Sequence, residues 1–446
     1  MTGPRIALPG PVRAAIARLE ACGYTAFAVG GCVRDSLRGV TPHDWDLATA
    51  ARPEQTCAAL AGAFDVRPTG LRHGTVTALA DGMAIEITTY RTEAGYADGR
   101  HPDAVRFVPR VEEDLMRRDF TVNAMAYHPA RGLCDPFGGQ ADLRRGVLRA
   151  VGDPDTRFAE DALRILRRVR FQAQTGFALE PQTAYAMRRQ LARLDGIARE
   201  RVLAELNGIL TGRYAGRALR ACREILAAVL PELSPMFGLC QHNPHHRYDV
   251  WEHTVRAVEA VPADLTLRWV MLLHDCGKPH AYTIDAAGVG HFKGHPRISC
   301  ALAAQALARL RAPGALREAV CRLVELHDYP LGQNEKIVRR RLSRLGEQTV
   351  RQLLAIKKAD CTGQGAFSIH LAELQQTESL VNAVCRAGLC LSLHDLALDG
   401  HDICALGFSG PAVGRVLRGL LDAVVDGAAP NEPEALRALA ARWKEA

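Results

Sequence analysis

The stretch from residue 28 to residue 47, AVGGCVRDSLRGVTPHDWDL, constrains the fold more than any other part of the 446-residue chain. A short apolar run leads into the pair Gly30-Gly31, where no Cβ keeps backbone amides away from a polyanion. Asp44 and Asp46 flank Trp45. If Trp45 lies on a strand, the two aspartates point to the same face, because strand side chains alternate. Two carboxylates beside a phosphate-sized backbone pocket favour Mg²⁺ together with a phosphorylated ligand. Either piece alone is also typical of an ordinary turn or a solvated strand edge.

Length and composition indicate a globular protein of two to four domains, with 48% hydrophobic and 24% charged residues. No apolar run approaches the roughly 18 residues that a membrane span needs. The N-terminus lacks a basic cluster and an apolar core, so we expect no secretory signal. The 13 cysteines form no C-x-x-C pair, which favours reduced thiols in the cytoplasm over disulfides or a structural zinc site.

The positive charge is concentrated in one segment of the chain. Between Arg144 and Leu230 there are 17 Arg, no Lys and 9 acidic residues, a surplus of 8 within a net charge of +7 for the whole chain. This segment predicts contact with a nucleic-acid backbone. The alternative is a genome rich in G and C that prefers Arg on solvated helix faces.

The N-terminal third reads as a small mixed α/β sheet. The pattern predicts strands over 24–29 and 44–47 and a hairpin over 74–91, with a turn at Asp-Gly. Glu86 falls on the second hairpin strand. It is either a third acid that faces a metal or the partner of a neighbouring Arg. Downstream of this head, which spans residues 1–142, helical patterns dominate.

At these residues the sequence resembles a known family. GGCVRD at 30–35 and DWDLAT at 44–49 are similar to the head motif of class II template-independent nucleotidyltransferases, which include tRNA CCA-adding enzymes and bacterial poly(A) polymerases. RRDFTVNAMAY at 117–127 resembles their second motif, in which Asp119 and Asn123 are expected to tie the head to the next domain. The resemblance implies catalytic, Mg²⁺-binding residues and triphosphate contacts: Asp44 and Asp46 for the first, and Gly31, Arg34 and Arg118 for the second.

EDALRILRRVRF, residues 160–171, predicts one continuous helix with Asp161, Arg164, Arg167 and Arg170 on one side. Cytosine and adenine each present an amine donor beside a ring-nitrogen acceptor, which a carboxylate and a guanidinium can pair. Uracil and guanine would leave both protein groups unpaired, at roughly 1–3 kcal/mol per lost partner. The resemblance implies that Asp161 and Arg164 read the base while Arg167 and Arg170 contact the nucleotide. The alternative is an exposed salt bridge worth a few tenths of a kcal/mol.

The segment from Arg91 to Asp103 is polar and Gly-rich, and we expect a mobile loop. In the resembled family this position carries a flexible loop needed for the final A addition, and enzymes that add only CC are shortened there. Because this chain keeps the segment, a complete CCA-adding enzyme is favoured over a partial one.

Beyond residue 240, histidines and aspartates follow the order of an HD-type metal site. The alternative is a relic domain kept for packing and tRNA contact. The expected ligands are His253, His274, Asp275 and Asp360, with His295 and His327 as possible further ligands.

Together these patterns predict an α+β protein: a mixed-sheet head followed by all-α domains. The resemblance implies a tRNA nucleotidyltransferase that adds CCA to the tRNA 3′ end from CTP and ATP, using Mg²⁺, with a possible second divalent metal in the HD site. The alternatives are a poly(A) polymerase, or an HD metal phosphohydrolase with a non-catalytic RNA-binding head. The expected domains are a head (1–142), a helical neck (143–235), an HD domain (236–365) and a helical tail (366–446).

Overall fold

A computed structural model describes residues 4–71, 74–94, 104–243, 246–364 and 368–445. The chain divides into two compact units, Met1–Val229 and Leu230–Ala446. The first combines a mixed sheet with helices and the second is mainly helical, so the predicted α+β class is confirmed. No helix within the described ranges is both long and apolar enough to span a membrane.

The strands of the first unit are short, and most belong to one sheet of order β3-β4-β5-β2-β1-β8-β9. Within that sheet β2 and β5 pair in parallel and the other neighbours pair antiparallel. The bounds are β1 Ala26–Val29, β2 Trp45–Thr49, β3 Asp65–Gly70, β4 Thr75–Ala80, β5 Met83–Thr89, β6 Arg91–Ala94, β7 Ala104–Phe107, β8 Ala126–His128, β9 Gly132–Cys134, β10 Val147–Leu148 and β11 Ala178–Leu179.

The helices of the first unit cover the sheet and then continue as a helical segment after residue 150. Their bounds are α1 Gly10–Ala21, α2 Gly31–Leu37, α3 Pro53–Leu60, α4 Val111–Met116, α5 Gly139–Arg145, α6 Pro154–Glu160, α7 Leu163–Thr175, α8 Pro181–Arg189, α9 Arg199–Leu210, α10 Ala215–Ala221 and α11 Arg223–Val229.

The predicted hairpin is present. Its strands β4 and β5 are joined at Asp81 and Gly82, which both have positive φ, 50° and 73°. Two consecutive positive φ values are the geometry that Asp-Gly favours in two-residue hairpins, because this turn matches the twist of the strands. The hairpin places β5 next to β2 and so aligns Glu86 with Asp46.

The structure differs from the sequence-based prediction at the expected loop from 91 to 103. Residues 91–94 form β6, which pairs with β7, so the prediction of a loop over these four residues was wrong. Arg91 Nε donates to Glu93 at 2.8 Å and Arg117 Nη1 donates to the same carboxylate at 3.1 Å, which anchors the strand. The rest of that segment, 95–103, lies outside the described residues.

Apolar clusters cover the sheet of the first unit. One packs α1 and α3 against the inner sides of β1, β2, β4 and β5, with Leu19, Leu47 and Ile87 almost fully buried. A second gathers Tyr90 and Leu115 near α4. Since β2 lies in the middle of this packed sheet, the residues at its N-terminal end stand on a rigid support.

The second unit is built from helices, with one short two-stranded ribbon. Its C-terminal part has a small core of its own, in which Leu420 and Leu436 are fully buried. The bounds are α12 Val250–Ala260, α13 Leu265–Leu273, α14 Lys278–Ala281, β12 Thr283–Ile284, β13 Gly290–His291, α15 His295–Arg309, α16 Gly314–Leu326, α17 Glu335–Leu345, α18 Glu347–Gln364, α19 Ser368–Arg386, α20 Gly400–Ala405, α21 Pro411–Val425 and α22 Pro433–Glu445.

Candidate active site

The turn between β1 and α2 brings the backbone close to a guanidinium. Gly30 has φ 79°, and its N–H donates to Met125 O at 3.1 Å. A Cβ placed on Gly30 would lie 2.7 Å from Arg118 Nη1. The positive φ favours glycine here, and a Cβ would in addition force the flexible end of the Arg118 side chain to move. The result is a backbone turn with a cation directly beside it.

The two aspartates lie at the N-terminal end of β2. Trp45 is buried and Asp46 is half-buried, as expected for side chains that alternate between the two faces of a strand. Asp44 immediately precedes the strand. Its side chain is 83% exposed and its Oδ1 lies 3.0 Å from His43 Nδ1. The register with β5 sets Glu86 directly beside Asp46, so the structure favours the reading of Glu86 as a third acid at this edge.

Electrostatics distinguish Asp46 from its neighbours. Burial raises the pKa of the Asp46 carboxyl, and the Arg118 guanidinium partly offsets that rise. The negative charges of Glu86 and Asp44 raise it further, and the resulting pKa is about 6 instead of 3.8. Carboxylates crowded in this way repel one another until a cation joins them. The donor set, all carboxylate oxygen, suits a hard cation such as Mg²⁺.

A buried polar network joins the head to the helical segment. Arg34 Nη1 donates to Asn123 Oδ1 at 2.6 Å, and Asn123 Nδ2 donates to Asp119 Oδ1 at 3.2 Å. Asp119 Oδ2 in turn accepts from Arg167 Nε at 2.9 Å. Burial raises the pKa of Asp119, but Arg167 and Asn123 lower it more, to about 2. The expected link between Asp119, Asn123 and the following domain is therefore present.

The motif at 160–171 does not form one continuous helix, so that prediction was wrong. Helix α6 ends at Glu160, α7 begins at Leu163, and Asp161 between them is extended, with φ −142° and ψ 103°. Asp161 Oδ1 accepts a hydrogen bond from Leu163 N at 3.0 Å. Short polar side chains compete with helical hydrogen bonds in this way, and the competition explains the break. Asp161 is thus held at the start of α7 and not on its side.

The three arginines of α7 that the sequence singled out have separate partners. Arg164 donates to three oxygens, the carboxylate of Glu160 and the backbone carbonyls of Arg157 and Arg117. Arg170 Nε donates to Glu205 Oε2 at 2.6 Å. The Arg164 and Asp161 side chains are therefore each fixed from outside the pair, and both face the same cavity.

One cavity of about 570 Å³ is lined by all nine residues of the first unit for which the sequence predicts a catalytic or nucleotide-binding role. Sequence reasoning missed several lining residues, of which Arg201 is the most informative because it contacts Asp161. Arg201 lies in ERVLAELNGIL, residues 200–210, which resembles the next helical motif of the same family and for which the sequence predicts only a structural role. The nine residues are Gly31, Arg34, Asp44, Asp46, Arg118, Asp161, Arg164, Arg167 and Arg170. Gly30, Asp119 and Asn123, which the sequence also named, line the cavity too, and the residues that sequence reasoning missed are Arg117, Phe171, Gln174 and Arg201.

Comparison with known proteins agrees with this arrangement. Residues 26–149 match a family described as "Poly A polymerase head domain", and residues 176–237 match a "Probable RNA and SrmB- binding site of polymerase A". Residues 297–440 match a family described as a tRNA nucleotidyltransferase domain 2. An A-adding tRNA nucleotidyltransferase of Deinococcus radiodurans is 36% identical over 440 residues, covering 94% of this chain and 96% of that protein. This chain belongs to the tRNA nucleotidyltransferase family.

Other members of the family match either over a shorter part of the chain or at lower sequence identity. A CCA-adding enzyme of Lactiplantibacillus plantarum is 47% identical over 210 residues, 46% of this chain. The chain spans about half the length of that relative and of the other CCA-adding relatives that it matches. The crystal structure of a Bacillus stearothermophilus CCA-adding enzyme in complex with CTP superposes with a TM-score of 0.74 at 29% identity, covering 98% of both chains.

The second unit of this family member holds a separate cluster of histidines and aspartates. His253 Nε2 lies 3.0 Å from Asp360 Oδ1 and 3.2 Å from Asp275 Oδ2, and His274 Nε2 lies 3.3 Å from each of the same two atoms. Four ligand atoms thus converge, as a metal ion requires. Nearby histidines hold the pKa of Asp275 and of Asp360 well below its usual range, against the opposing effect of burial.

Asp275 also belongs to a second group of possible ligands. Its Oδ1 lies 3.3 Å from His295 Nε2 and 4.0 Å from His327 Nε2, and those two nitrogens are 3.2 Å apart. His295 and His327 each direct Nδ1 to a backbone carbonyl three residues earlier, at 2.9 and 2.7 Å. A histidine anchored through Nδ1 presents Nε2 as its ligand atom. The two predicted additional histidines therefore share one carboxylate with the first group.

Proposed function

We propose that this protein adds the 3′-terminal CCA to tRNA, using CTP and ATP and releasing pyrophosphate. The observation that carries the proposal is the joint cavity of the first unit. It combines the aspartates of β2, the glycine turn and the Asp161/Arg164 pair. Family membership and the similarity to a CCA-adding enzyme in complex with CTP support it.

Asp44 and Asp46 would hold Mg²⁺, since they offer hard oxygen ligands. Burial, and then the charges of Glu86 and Asp44, raise the pKa of Asp46 in spite of Arg118, so its carboxylate would gain from a bound cation. When bound, the metal supplies charge that stabilises the α-phosphate during transfer. The tRNA 3′-hydroxyl attacks that phosphate in line. Asp44 is exposed and its contact with His43 lies at the surface, so its side chain can turn toward the ligand.

Three groups of the chain would position the triphosphate. The Gly31 backbone offers an amide beside the left-handed Gly30, and no Cβ blocks the approach. Arg118 lies against the same turn, and Arg34 is held by Asn123 and by the carboxylate of Asp35. Guanidiniums fixed by such contacts need little reordering when they bind a phosphate oxygen.

Asp161 and Arg164 would choose the base. The carboxylate accepts from the exocyclic amine of cytosine or adenine, and the guanidinium donates to the adjacent ring nitrogen. Uracil and guanine present the opposite pattern and leave both groups unpaired. Arg167 and Arg170 would line the nucleotide, held by Asp119 and Glu205.

The test uses two tRNA substrates, one that lacks CCA and one that ends in CC, each with labelled CTP and ATP. We expect the wild type to add three nucleotides to the first substrate and one to the second. Asp44→Ala should add no nucleotide to either substrate but should still bind tRNA. Full activity of Asp44→Ala would refute the catalytic site. Growth beyond three nucleotides would point to a poly(A) polymerase.

A-addition alone is the second candidate, because the relative matched over 94% of this chain is an A-adding tRNA nucleotidyltransferase. It predicts one A on the CC-ending tRNA and no incorporation of CTP on the shorter one. The presence of residues 91–103 argues for complete addition but does not separate the two, so the CTP arm decides.

We further propose that the two compact units comprise four domains, with the boundaries expected from the sequence at 142, 235 and 365. The Arg-rich segment 144–230 would contact the tRNA backbone through its surplus of 8 positive charges. The site of action would be the cytoplasm, where reduced thiols and tRNA coexist.

A metal phosphohydrolase activity of the second unit is a separate candidate, favoured by the two groups of ligands that share Asp275. Such a pair of sites suits hydrolysis of a phosphomonoester or a cyclic phosphate. We expect the protein to bind a transition metal and to hydrolyse such esters, and His274→Ala to lose both properties while nucleotide addition persists. His370→Ala, an exposed histidine of α19, is the control. Unchanged metal content in His274→Ala would overturn the assignment.

A further inference from the structure

Asp161 is held by two hydrogen bonds and not by regular secondary structure. Its Oδ1 accepts from Leu163 N at 3.0 Å and its Oδ2 accepts from Arg201 Nη2 at 2.9 Å. The residue sits in extended backbone between two helices, so no helical packing fixes the direction of its carboxylate. Of these two bonds, the one from Arg201 comes from a side chain.

Arg201 reaches Asp161 from a different helix, α9, which packs along α7. One turn later on α9, Glu205 accepts from Arg170. One turn further, Gly208 leaves room for the Arg170 side chain, since a Cβ there would lie 2.5 Å from Arg170 Cδ. One face of α9 thus offers a cation to Asp161, an anion to Arg170 and space for the aliphatic part of the Arg170 side chain. Contacts from α9 therefore fix the directions of both side chains.

Each oxygen of an ionised carboxylate has two lone-pair directions. The bonds from Leu163 and Arg201 occupy one on each oxygen and leave a fixed direction free for the amine of a base. Without Arg201 the carboxylate can rotate, and the direction that distinguishes an amine from a carbonyl is lost. Within the described residues, Arg201 Nη2 bonds to Asp161, while the neighbouring Nη1 is buried and makes no hydrogen bond.

We propose that Arg201 is a positioning residue for base selection: it orients Asp161 so that cytosine and adenine are accepted and uracil and guanine are rejected. This inference rests on the proposed nucleotide addition. A purely structural Arg201 would instead support the packing of α9, and its loss would slow incorporation of all four nucleotides equally.

The experiment measures kcat/KM for CTP, UTP, ATP and GTP on tRNA lacking CCA and on tRNA ending in CC. The proteins are the wild type, Arg201→Gln, Arg201→Lys and the control Arg199→Gln, whose half-buried side chain on the same helix donates to the Asp195 carbonyl. In Arg201→Gln we expect the CTP/UTP and ATP/GTP ratios to fall by at least about tenfold, the effect of losing one base contact. Arg201→Lys keeps a cation and should recover part of the ratio, and Arg199→Gln should keep all of it.

Ratios equal to the wild type in a folded Arg201→Gln protein would overturn the inference and leave the proposed function standing. If the wild type itself incorporates no nucleotide, the proposed function fails and the inference fails with it. Should Arg201→Gln not fold, Arg201→Met retains the aliphatic stem and takes its place, and the same ratios decide.

Discussion

Replacement of Asp46 by Asn should stabilise the metal-free protein while it abolishes catalysis. The Asp46 carboxyl is largely buried at the end of β2, beside Glu86 and near Asp44. Its charge is therefore unfavourable for folding unless a cation binds. Asparagine has nearly the same shape and carries no charge, so the substitution removes the repulsion with little change in packing.

The size of the effect follows from the raised pKa. A rise from 3.8 in the unfolded chain to about 6 in the folded one corresponds to roughly 3 kcal/mol, at 1.36 kcal/mol per pKa unit. Between these two values the folded state binds more protons than the unfolded state. The stability of the wild type therefore falls as the pH rises from about 4 to 6. At pH 7 we expect Asp46→Asn to be more stable by up to about 3 kcal/mol, and near pH 4 the difference should vanish.

The assay is denaturant unfolding of the metal-free full-length protein at pH 4 and pH 7, with the transition of the first unit followed separately, since two compact units need not unfold together. Asp44→Asn is the matched control. Because its side chain is 83% exposed, we expect a change within about 0.5 kcal/mol.

Added Mg²⁺ with nucleotide should reverse the order of stability, because only the wild type retains both carboxylates and gains binding energy from the ligand. An Asp46→Asn protein that is no more stable than the wild type at pH 7, or a difference independent of pH, would refute the electrostatic reasoning. In that case Asp46 would be compensated by protein groups, and its role as a metal ligand would lose its main physical support.

Two further substitutions test the supports of the site. Gly30→Ala should raise KM for CTP and for ATP by about tenfold or more, because the added Cβ displaces Arg118 and removes a charged contact to phosphate. Gly39→Ala is the control: Gly39 has a similar φ of 71° but open space around it, so the substitution should lower stability without changing KM. Steady-state kinetics distinguishes them, and equal KM changes would contradict the steric argument. Asp119→Asn should lose about 2 kcal/mol of unfolding free energy at pH 7, since the carboxyl pKa of about 2 contributes stability above pH 4 that is lost as the pH falls toward 2. Denaturant titrations at pH 7 and pH 2 check it, and a loss that persists undiminished at pH 2 would count against the ion pair with Arg167.

The parts of the site that sequence predicted well depend on neighbours close in the chain. A glycine pair after an apolar run, and two aspartates flanking one tryptophan, leave few conformations, and the structure has the two expected strands, β1 and β2, on either side of the glycine turn. The sequence did not predict helix α2, which begins at Gly31. The Asp-Gly hairpin is of the same kind. Since each pattern is local, the backbone preferences of a few residues suffice to predict it.

The break at Asp161 could not be predicted so simply, although the signal was a single residue. The segment 160–171 contains neither Gly nor Pro, and its arginines have helical spacing. The helix is interrupted because the Asp161 side chain accepts a hydrogen bond from the following turn. An Asp side chain competes with helical hydrogen bonds in this way when a tertiary contact stabilises it. Here that contact is the hydrogen bond from Arg201, 40 residues later in the chain, to the other carboxylate oxygen of Asp161.

The same reasoning explains why Arg201 and Glu205 look unremarkable in the sequence. Arg and Glu four residues apart are most often read as an exposed pair on one helix. Here each points instead to an opposite charge, Arg201 to Asp161 just before α7 and Glu205 to Arg170 on α7, so the pattern on α9 makes sense only beside its partner helix. A charged residue that orients another charged residue has no recognisable sequence pattern, because its partner is set by the packing of two helices. Residues that act directly on a ligand can thus be proposed from one segment, whereas those that orient them require the tertiary structure.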